Sequence, residues 1–371
     1  MKKRAVCISC FNEYTNRIRF VMEYLQNLEY ECTYITSDFD HIKKEYYTIS
    51  YAHTKQIHVN KYAKNISISR LRSHTKFSKD AFRIVKDIKP DVLFVMLPPN
   101  KLAQEAAKYK KKHPEITLIV DVFDMWPETF PNNKAKRLLT VPFKLWGGIR
   151  NKGVAQADIV TTECELYQSV LRQYCDEKKL KTLYLGKNGT HNIPTLQEKT
   201  QGIGLCYLGS INNIIDIPAI SEIICKLPKP VFLHIVGDGE RRQDLINAAQ
   251  NAGATVTYYG KVFDSEKKQE IFDQCHFGLN VMKSSVFVGL TMKSMDYFEG
   301  GLPIINTIKG DTWKMVEEYD IGINYNSDID FTKELKMTTE ADKRRMKLFF
   351  EKNFSEEAFR ERLADVFQEV F

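Results

Sequence analysis

The sequence predicts an α/β protein built as two doubly wound domains in tandem, and three observations predict it. Short apolar runs rich in β-branched residues alternate with helical stretches along nearly the whole chain. That rhythm halts over 187–204 (KNGTHNIPTLQEKTQGIG), where Gly, Asn, Pro and charge replace periodicity, and then starts again. The length, 371 residues, suits two domains of roughly 150 residues each with a little to spare. The strands are continuously apolar rather than alternating, which predicts parallel sheets covered by helices on both faces.

The first series opens with a strand over 4–10, a helix over 16–28 with Ile18, Val21, Met22 and Leu25 at helical spacing, and a strand over 31–37. It continues with a helix over 76–88, a strand over 91–97, a helix over 100–112, and strands over 116–122 and 157–162. After the break come strands over 205–208, 231–236, 255–259, 277–281 and 303–306, separated by helices over 214–225, 241–252, 265–274 and 292–298. Ser355 followed by Glu356 and Glu357 reads as a helix N-cap with acids in the first turn. The helix it opens carries Phe359, Leu363, Val366 and Phe367 and needs a surface to pack on. We therefore expect a first domain over 1–195, a second over 196–354, and a terminal helix over 355–371 crossing back to the first. Two such sheets in tandem place a cleft beyond their carboxyl ends.

With 43% hydrophobic and 27% charged residues, disordered and fibrous classes are excluded. No run approaches the ~18 apolar residues of a membrane span, and the start lacks the form of a signal peptide. The eight cysteines have no framework spacing, so a reducing, cytoplasmic setting is expected. Cys7 and Cys10 have CxxC spacing, but they read best as small buried residues. The histidines are isolated, so no metal is expected, and His234 reads as a core residue. The net charge of +7 is unevenly spread: residues 1–200 carry 34 Lys and Arg against 21 Asp and Glu, and residues 201–371 carry 20 against 26.

Chemistry concentrates in the second half. Gly237-Asp238-Gly239 ends a strand before a helix, which serves close approach to a nucleotide or equally an ordinary turn. Tyr259-Gly260-Lys261-Val262 follows the next strand similarly. Gly289-Leu290-Thr291-Met292 presents backbone N–H groups at a helix start, a favourable place for a diphosphate. Lys293 in that first turn opposes the helix dipole and is better understood if it meets a phosphate. Asp296 lies on the same face, where it could accept ribose hydroxyls. The plain alternative is a surface helical pair with Gly300-Gly301 as a C-cap. In the first half, Asp121-Val122-Phe123-Asp124-Met125-Trp126-Pro127-Glu128 puts three carboxylates at a strand end, which suits a polar cleft better than an apolar interior.

Gly-Asp-Gly, the Tyr-x-Gly segment, Lys-x-x-Asp-Tyr-x-x-x-Gly-Leu-Pro-Ile-Ile and Asp-x-x-Asp-x-Trp-Pro-Glu together resemble GT-B fold glycosyltransferases of the family 4 type, of the bacterial capsular and exopolysaccharide kind. The match is most specific over 206–319. The resemblance implies a nucleotide diphosphate sugar as donor (UDP favoured, GDP or dTDP possible), a retaining transfer, and no tightly bound cofactor or metal. It implies donor contacts from Gly209, Ser210, Gly237, Asp238, Gly239, Lys261, Val262, Gly289, Leu290, Thr291 and Lys293, with Asp296 on the ribose. Asp121, Asp124, Glu128 and Lys293 are the implied catalytic residues. Two departures stand out: Val288 occupies the place of the family's first acid, and 209–214 (GSINNI) lacks the usual Arg and Lys. Lys293, and then Lys283, are the candidates to replace that charge.

The basic first half is the one expected to bind the acceptor. Lys134, Lys136, Arg137, Lys144 and Arg150 interleave with Leu138, Leu139, Phe143 and Trp146, which suits either an anionic membrane or an ordinary helix with a solvated face. The expected partners are a glycan acceptor on undecaprenyl diphosphate and the inner membrane face, with no nucleic acid. Two other readings share the fold: a non-catalytic partner subunit and a UDP-sugar epimerase.

Overall fold

The computed structural model describes residues 2–12, 15–64, 67–130, 140–196, 202–331 and 335–371. The chain forms two compact units, Met1–Leu185 with Phe359–Phe371, and Gly186–Ala358. Both are doubly wound α/β units, as the alternation of elements predicts.

In the first unit the strands are β1 (Arg4–Ile8), β2 (Glu31–Ser37), the short antiparallel pair β3 (Phe39–Asp40) and β4 (Glu45–Tyr46), β5 (Thr54–Ile57), β6 (Val92–Leu97), β7 (Thr117–Val122), β8 (Ile159–Thr162) and β9 (Leu180–Thr182). Seven of them make a parallel sheet in the order β5-β2-β1-β6-β7-β8-β9. The second unit contains β10 (Ile203–Leu208), β11 (Val231–Val236), β12 (Ala254–Gly260), β13 (Phe277–Asn280), β14 (Ile304–Asn306) and β15 (Gly322–Asn324), in the order β12-β11-β10-β13-β14-β15. Numbered within each parallel sheet, the second order runs 3-2-1-4-5-6, the Rossmann pattern, and the first runs the same with a seventh strand, β9, added at the far edge. The chain reverses direction of travel across the sheet between β1 and β6, and between β10 and β13. Ligands of such sheets bind beyond the strand ends at that switch point.

The central strands β1, β6, β7, β10 and β13 are almost wholly buried, which is why their sequences read as unbroken apolar runs. The helix expected over 76–88 instead begins two turns earlier, at Ile68, where Ser67 accepts from Arg70 N. Helix Glu340–Phe354 was not anticipated, although its Thr339/Asp342 capping box is a sequence signal. The terminal helix Glu356–Gln368 has its start fixed by Ala358 N donating to Ser355 Oγ at 3.0 Å. Its Phe359, Leu363, Val366 and Phe367 join the first unit's core with Ile18, Val21, Phe20 and Phe94. Each fully buried side chain of this kind is worth roughly 1.5–3 kcal/mol, enough to fix the helix there.

The segment that reads as a free connection is a fastened strap on the second unit. Lys187 N donates to Phe354 O (2.8 Å), Thr195 is held by Asp273 through its N–H (3.1 Å) and hydroxyl (2.9 Å), and Lys347 Nζ donates to the carbonyls of Thr190 and Asn192 (2.6 and 2.8 Å).

Candidate active site

A cavity of about 260 Å³ lies at the switch point of the second unit. The end of β10 and its loop (Tyr207, Gly209, Ser210), Met282 after β13, and the start of helix Met292–Glu299 enclose it. Thr291 is the N-cap of that helix: its Oγ1 accepts from Ser294 N (3.2 Å) and donates to Asn280 Oδ1 (2.9 Å), which aims the helix start at the cavity. Of the predicted run 289–292, Thr291 and Met292 line the cavity. Gly289 and Leu290 are buried behind it, with Gly289 O accepting from Thr312 N (2.9 Å) and Oγ1 (2.7 Å).

Lys293 lines this cavity and is 9% exposed. Its Nζ sits 5.1 Å from the Tyr207 ring centroid, and the described residues give it no hydrogen bond and no ion pair. Burial alone pulls its ammonium down to about 8. An unpaired cation in such a place costs several kcal/mol, and an anion entering the cavity would remove that cost. The lysine that opposes its own helix dipole is therefore no surface residue, so the surface-pair alternative fails for Lys293.

Asp296 lines the same cavity, as its spacing from Lys293 predicts. Its Oδ1 already accepts from Lys187 Nζ (2.5 Å) and Lys268 Nζ (3.1 Å), which leaves Oδ2 as the oxygen open to a hydroxyl. Lys187 also pairs with Glu299, whose Oε1 accepts from Thr190 N at 2.6 Å. Burial pulls the Lys187 ammonium down, but Asp296 and then Glu299 outweigh it and hold it above its ordinary value. Lys187, Lys268 and Glu299 were missed in the sequence. Two of the three come from segments far from the motif, and only Glu299, one turn past Asp296, lies where helical spacing could have pointed to it.

Gly237-Asp238-Gly239 forms a tight turn against the neighbouring loop. A Cβ on Gly237 (φ +140°) would lie 1.9 Å from Gly209 O, and one on Gly239 would lie 2.2 Å from Ile211 O. The glycines are required by the neighbouring loop 209–211. Asp238 accepts from Gly239 N at 2.8 Å, which helps hold its carboxyl below its ordinary value. None of the three residues lines the cavity, and neither do exposed Lys261 and half-buried Val262. Lys283 donates to Asn213 O (2.7 Å) outside the cavity, so Lys293 alone is the unpaired cation there among the described residues.

The three carboxylates of the first unit depart from expectation. Asp121 is fully buried and lines no cleft. Its Oδ2 accepts from Arg17 Nε and its Oδ1 from Arg17 Nη2 (both 2.8 Å), with Thr161 Oγ1 donating to Oδ1 at 2.6 Å. Arg17 also donates to Leu183 O (2.9 Å) and lies over the rings of Phe123 and Phe359. A carboxylate that would be costly alone is thus matched inside the core. Asp124 accepts from Trp126 Nε1 and from Thr129 Oγ1 (2.5 Å). Burial raises its carboxyl, and these bonds only partly offset the rise. Glu128 makes a two-point pair with Arg150 (2.6 and 2.9 Å), and Arg150 is fully buried. Arg150 therefore belongs to this internal pair and not to a basic surface. Lys134, Lys136, Arg137, Leu138 and Leu139 lie outside the described residues.

The bland readings of the remaining candidates fit. Cys7 and Cys10 are buried, and burial, then Cys32, pushes the Cys7 thiol well up, away from a reactive thiolate. His234 bonds to Tyr259 Oη at 2.9 Å in the interior. No helix among the described residues is long and apolar enough to cross a membrane.

No family model matches the chain, and no curated protein matches it in sequence. In fold it is similar to solved structures over essentially its whole length. The apo form of the lipopolysaccharide outer core galactosyltransferase WaaB shares 13% identity at TM-score 0.69, covering 100% of both chains. Sucrose-phosphate synthase from Thermosynechococcus elongatus shares 11% at 0.68, covering 100% of this chain and 99% of its own. Anabaena HepE, solved with UDP and glucose, shares 12% at 0.63, covering 99% and 100%. At these identities the likeness is one of fold, and the fold of the chain is the GT-B fold.

Proposed function

We propose that the protein is a glycosyltransferase that moves a sugar from a nucleotide diphosphate donor to a glycan acceptor. The observation that carries this reading is Lys293: a buried, unpaired ammonium at a helix start, in a switch-point cavity with a carboxylate one turn away. A diphosphate supplies the missing counter-charge, the N–H groups at the helix start add donors to it, and Asp296 Oδ2 accepts from the ribose. Lys293 takes the place of the Arg and Lys that 209–214 lacks, and Gly209 and Ser210 let the phosphates approach the backbone. Charge building on the departing diphosphate is met by groups already in position.

Asp121, Asp124 and Glu128 each have their oxygens engaged, which supports a retaining route in which a donor phosphate oxygen takes the acceptor proton. In this reading the three carboxylates hold the first unit together rather than act as bases. UDP is the favoured nucleotide, since one neighbour in fold, HepE, was solved with UDP and glucose and with UDP-glucose. The acceptor in this reading is a glycan on a lipid carrier at the inner membrane face, in surface polysaccharide synthesis, a reading that rests on the sequence resemblance. Incubation with a panel of UDP-, GDP- and dTDP-sugars and a lipid-linked glycan should give a lengthened glycan. Absence of both donor binding and transfer across the panel would reduce the chain to a non-catalytic subunit, and an epimer formed without acceptor would make it an epimerase.

A further inference from the structure

Three adjacent strands of the second sheet end on the same side chain. Asn280, Asn306 and Asn324 close β13, β14 and β15, and the parallel register sets Asn280 beside Asn306 and Asn306 beside Asn324. Their amides join into one ladder across the strand ends. Asn280 Nδ2 donates to Asn306 Oδ1 at 2.9 Å, Asn306 Nδ2 to Asn324 Oδ1 at 2.8 Å, and Asn324 Nδ2 to Trp313 O, on helix Asp311–Tyr319, at 2.9 Å. At the other end Thr291 Oγ1 donates to Asn280 Oδ1 at 2.9 Å. A continuous hydrogen-bonded line thus runs from the sheet's edge to the N-cap of helix Met292–Glu299.

Backbone groups fix the direction of this line. Ile308 N donates to Asn306 Oδ1 (3.1 Å) and Ile308 O accepts from Asn306 Nδ2 (3.0 Å), so this amide can be turned only one way. Trp313 O can only accept, which turns Asn324 in the same sense. Asn280 must then present Nδ2 to Asn306 and Oδ1 to Thr291. The Thr291 hydroxyl has one proton and two acceptors in reach, Asn280 Oδ1 and Ser294 Oγ (3.1 Å), and the ladder draws it to the first. A lone pair of Oγ1 is left for Ser294 N, and that bond (3.2 Å) is the cap. Asn280 and Asn306 are fully buried. Fully bonded buried amides add little net stability over apolar side chains of the same shape, but they impose an orientation that apolar packing does not. What they orient here is the helix start that faces the cavity with Lys293 and Asp296.

We propose that Asn280, Asn306 and Asn324 are positioning residues for the donor site: acting through Thr291, they hold the start of helix Met292–Glu299 where the diphosphate docks. The assignment rests on the glycosyltransferase reading and extends its site to residues as far as two strands, roughly 10 Å, along the sheet. None of the three lines the donor cavity.

Asn324, at the far end, carries the test. It lines a separate cavity of about 450 Å³ at the sheet's edge, which gives a leucine room. Asn324→Leu removes the acceptor of Asn306 Nδ2, and Thr291→Val removes the ladder's other end. In calorimetry with the nucleoside diphosphate that the wild type binds, UDP first, Asn324→Leu should weaken affinity by about fivefold or more. In a Thr291→Val background the same substitution should change it by less than about twofold, because both act through one line. Unchanged affinity in folded Asn324→Leu, or an equal loss in the Thr291→Val background, overturns the assignment. A merely structural role gives that second result, with a lowered thermal midpoint and additive losses. Hydrogen exchange at Ser294 N–H, measured without nucleotide, separates this assignment from the transferase reading. If the wild type binds none of UDP, GDP and dTDP, the transferase reading falls, while faster exchange at Ser294 in Asn324→Leu keeps the ladder as the device that holds the helix start. Unchanged exchange there overturns the ladder's role even where nucleotide binds.

Discussion

Two charges lie buried near strand ends, one in each unit, and they have opposite fates. Asp121 at the end of β7 is met on both oxygens by Arg17 and by Thr161, within the core of its own unit. Lys293 beyond β13 meets an aromatic ring and an open cavity. From sequence both were candidates for catalysis, Asp121 as one of three carboxylates at a strand end and Lys293 as a cation in the first turn of a helix. What separates them is compensation: a matched buried charge is structure, and an unmatched one facing a cavity awaits a ligand.

The largest expected effect tests the matched side. Asp121→Ala strands Arg17 in the core and should cost about 3–5 kcal/mol in the unfolding free energy of the first unit, read as a lower denaturant midpoint. Nucleotide affinity should be unchanged, and a mild effect on stability would mean the pair is wetter than it looks.

Lys293→Met tests the unmatched side and has the opposite sign. The folded ammonium titrates near 8 against its ordinary 10.5. The unfolded chain therefore binds more protons between those values, and the wild type gains stability as pH rises through that window. The substitution should stabilise the ligand-free protein by up to about 3 kcal/mol below pH 8, with the advantage shrinking toward pH 10. It should also weaken a nucleoside diphosphate by about tenfold to a hundredfold. Lys343 sharpens the comparison: burial pulls it to about 8 too, but it donates to Phe272 O at 2.8 Å. Lys343→Met should leave nucleotide binding alone.

Smaller effects separate the parts of the nucleotide. Asp296→Ala should weaken UDP and uridine alike by about tenfold, since it acts on the ribose, whereas Lys293→Met should spare uridine. Calorimetric affinities for the two ligands decide it. Smallest of all, Thr291→Ala removes a helix cap and should cost about 1 kcal/mol of stability.

The central strands, the restart of the α/β rhythm and the terminal helix were readable because each carries its own periodicity. Short edge strands such as β5, β9 and β15 were not, since three or four residues at a sheet edge hold too little pattern. The strap over 187–195 looked loose because its anchors, Asp273, Glu299 and Lys347, are distant in sequence. Arg17 went unseen beside Ile18 in an amphipathic helix, where a long side chain reads as a solvated one. The packing role of Gly237 and Gly239 was not readable, because the sequence does not reveal which backbone approaches them. Lys293 was the exception: its conflict with the helix dipole was visible, and that conflict is what the cavity explains.

Proton uptake on nucleotide binding tests the account most directly. Calorimetry would use whichever of UDP, GDP and dTDP most raises the thermal midpoint, near pH 8.5 and in buffers of different ionisation enthalpy. If Lys293 meets the diphosphate, binding should draw a fraction of a proton onto the wild type and none onto Lys293→Met. Equal affinity and equal proton uptake in the two proteins would contradict it.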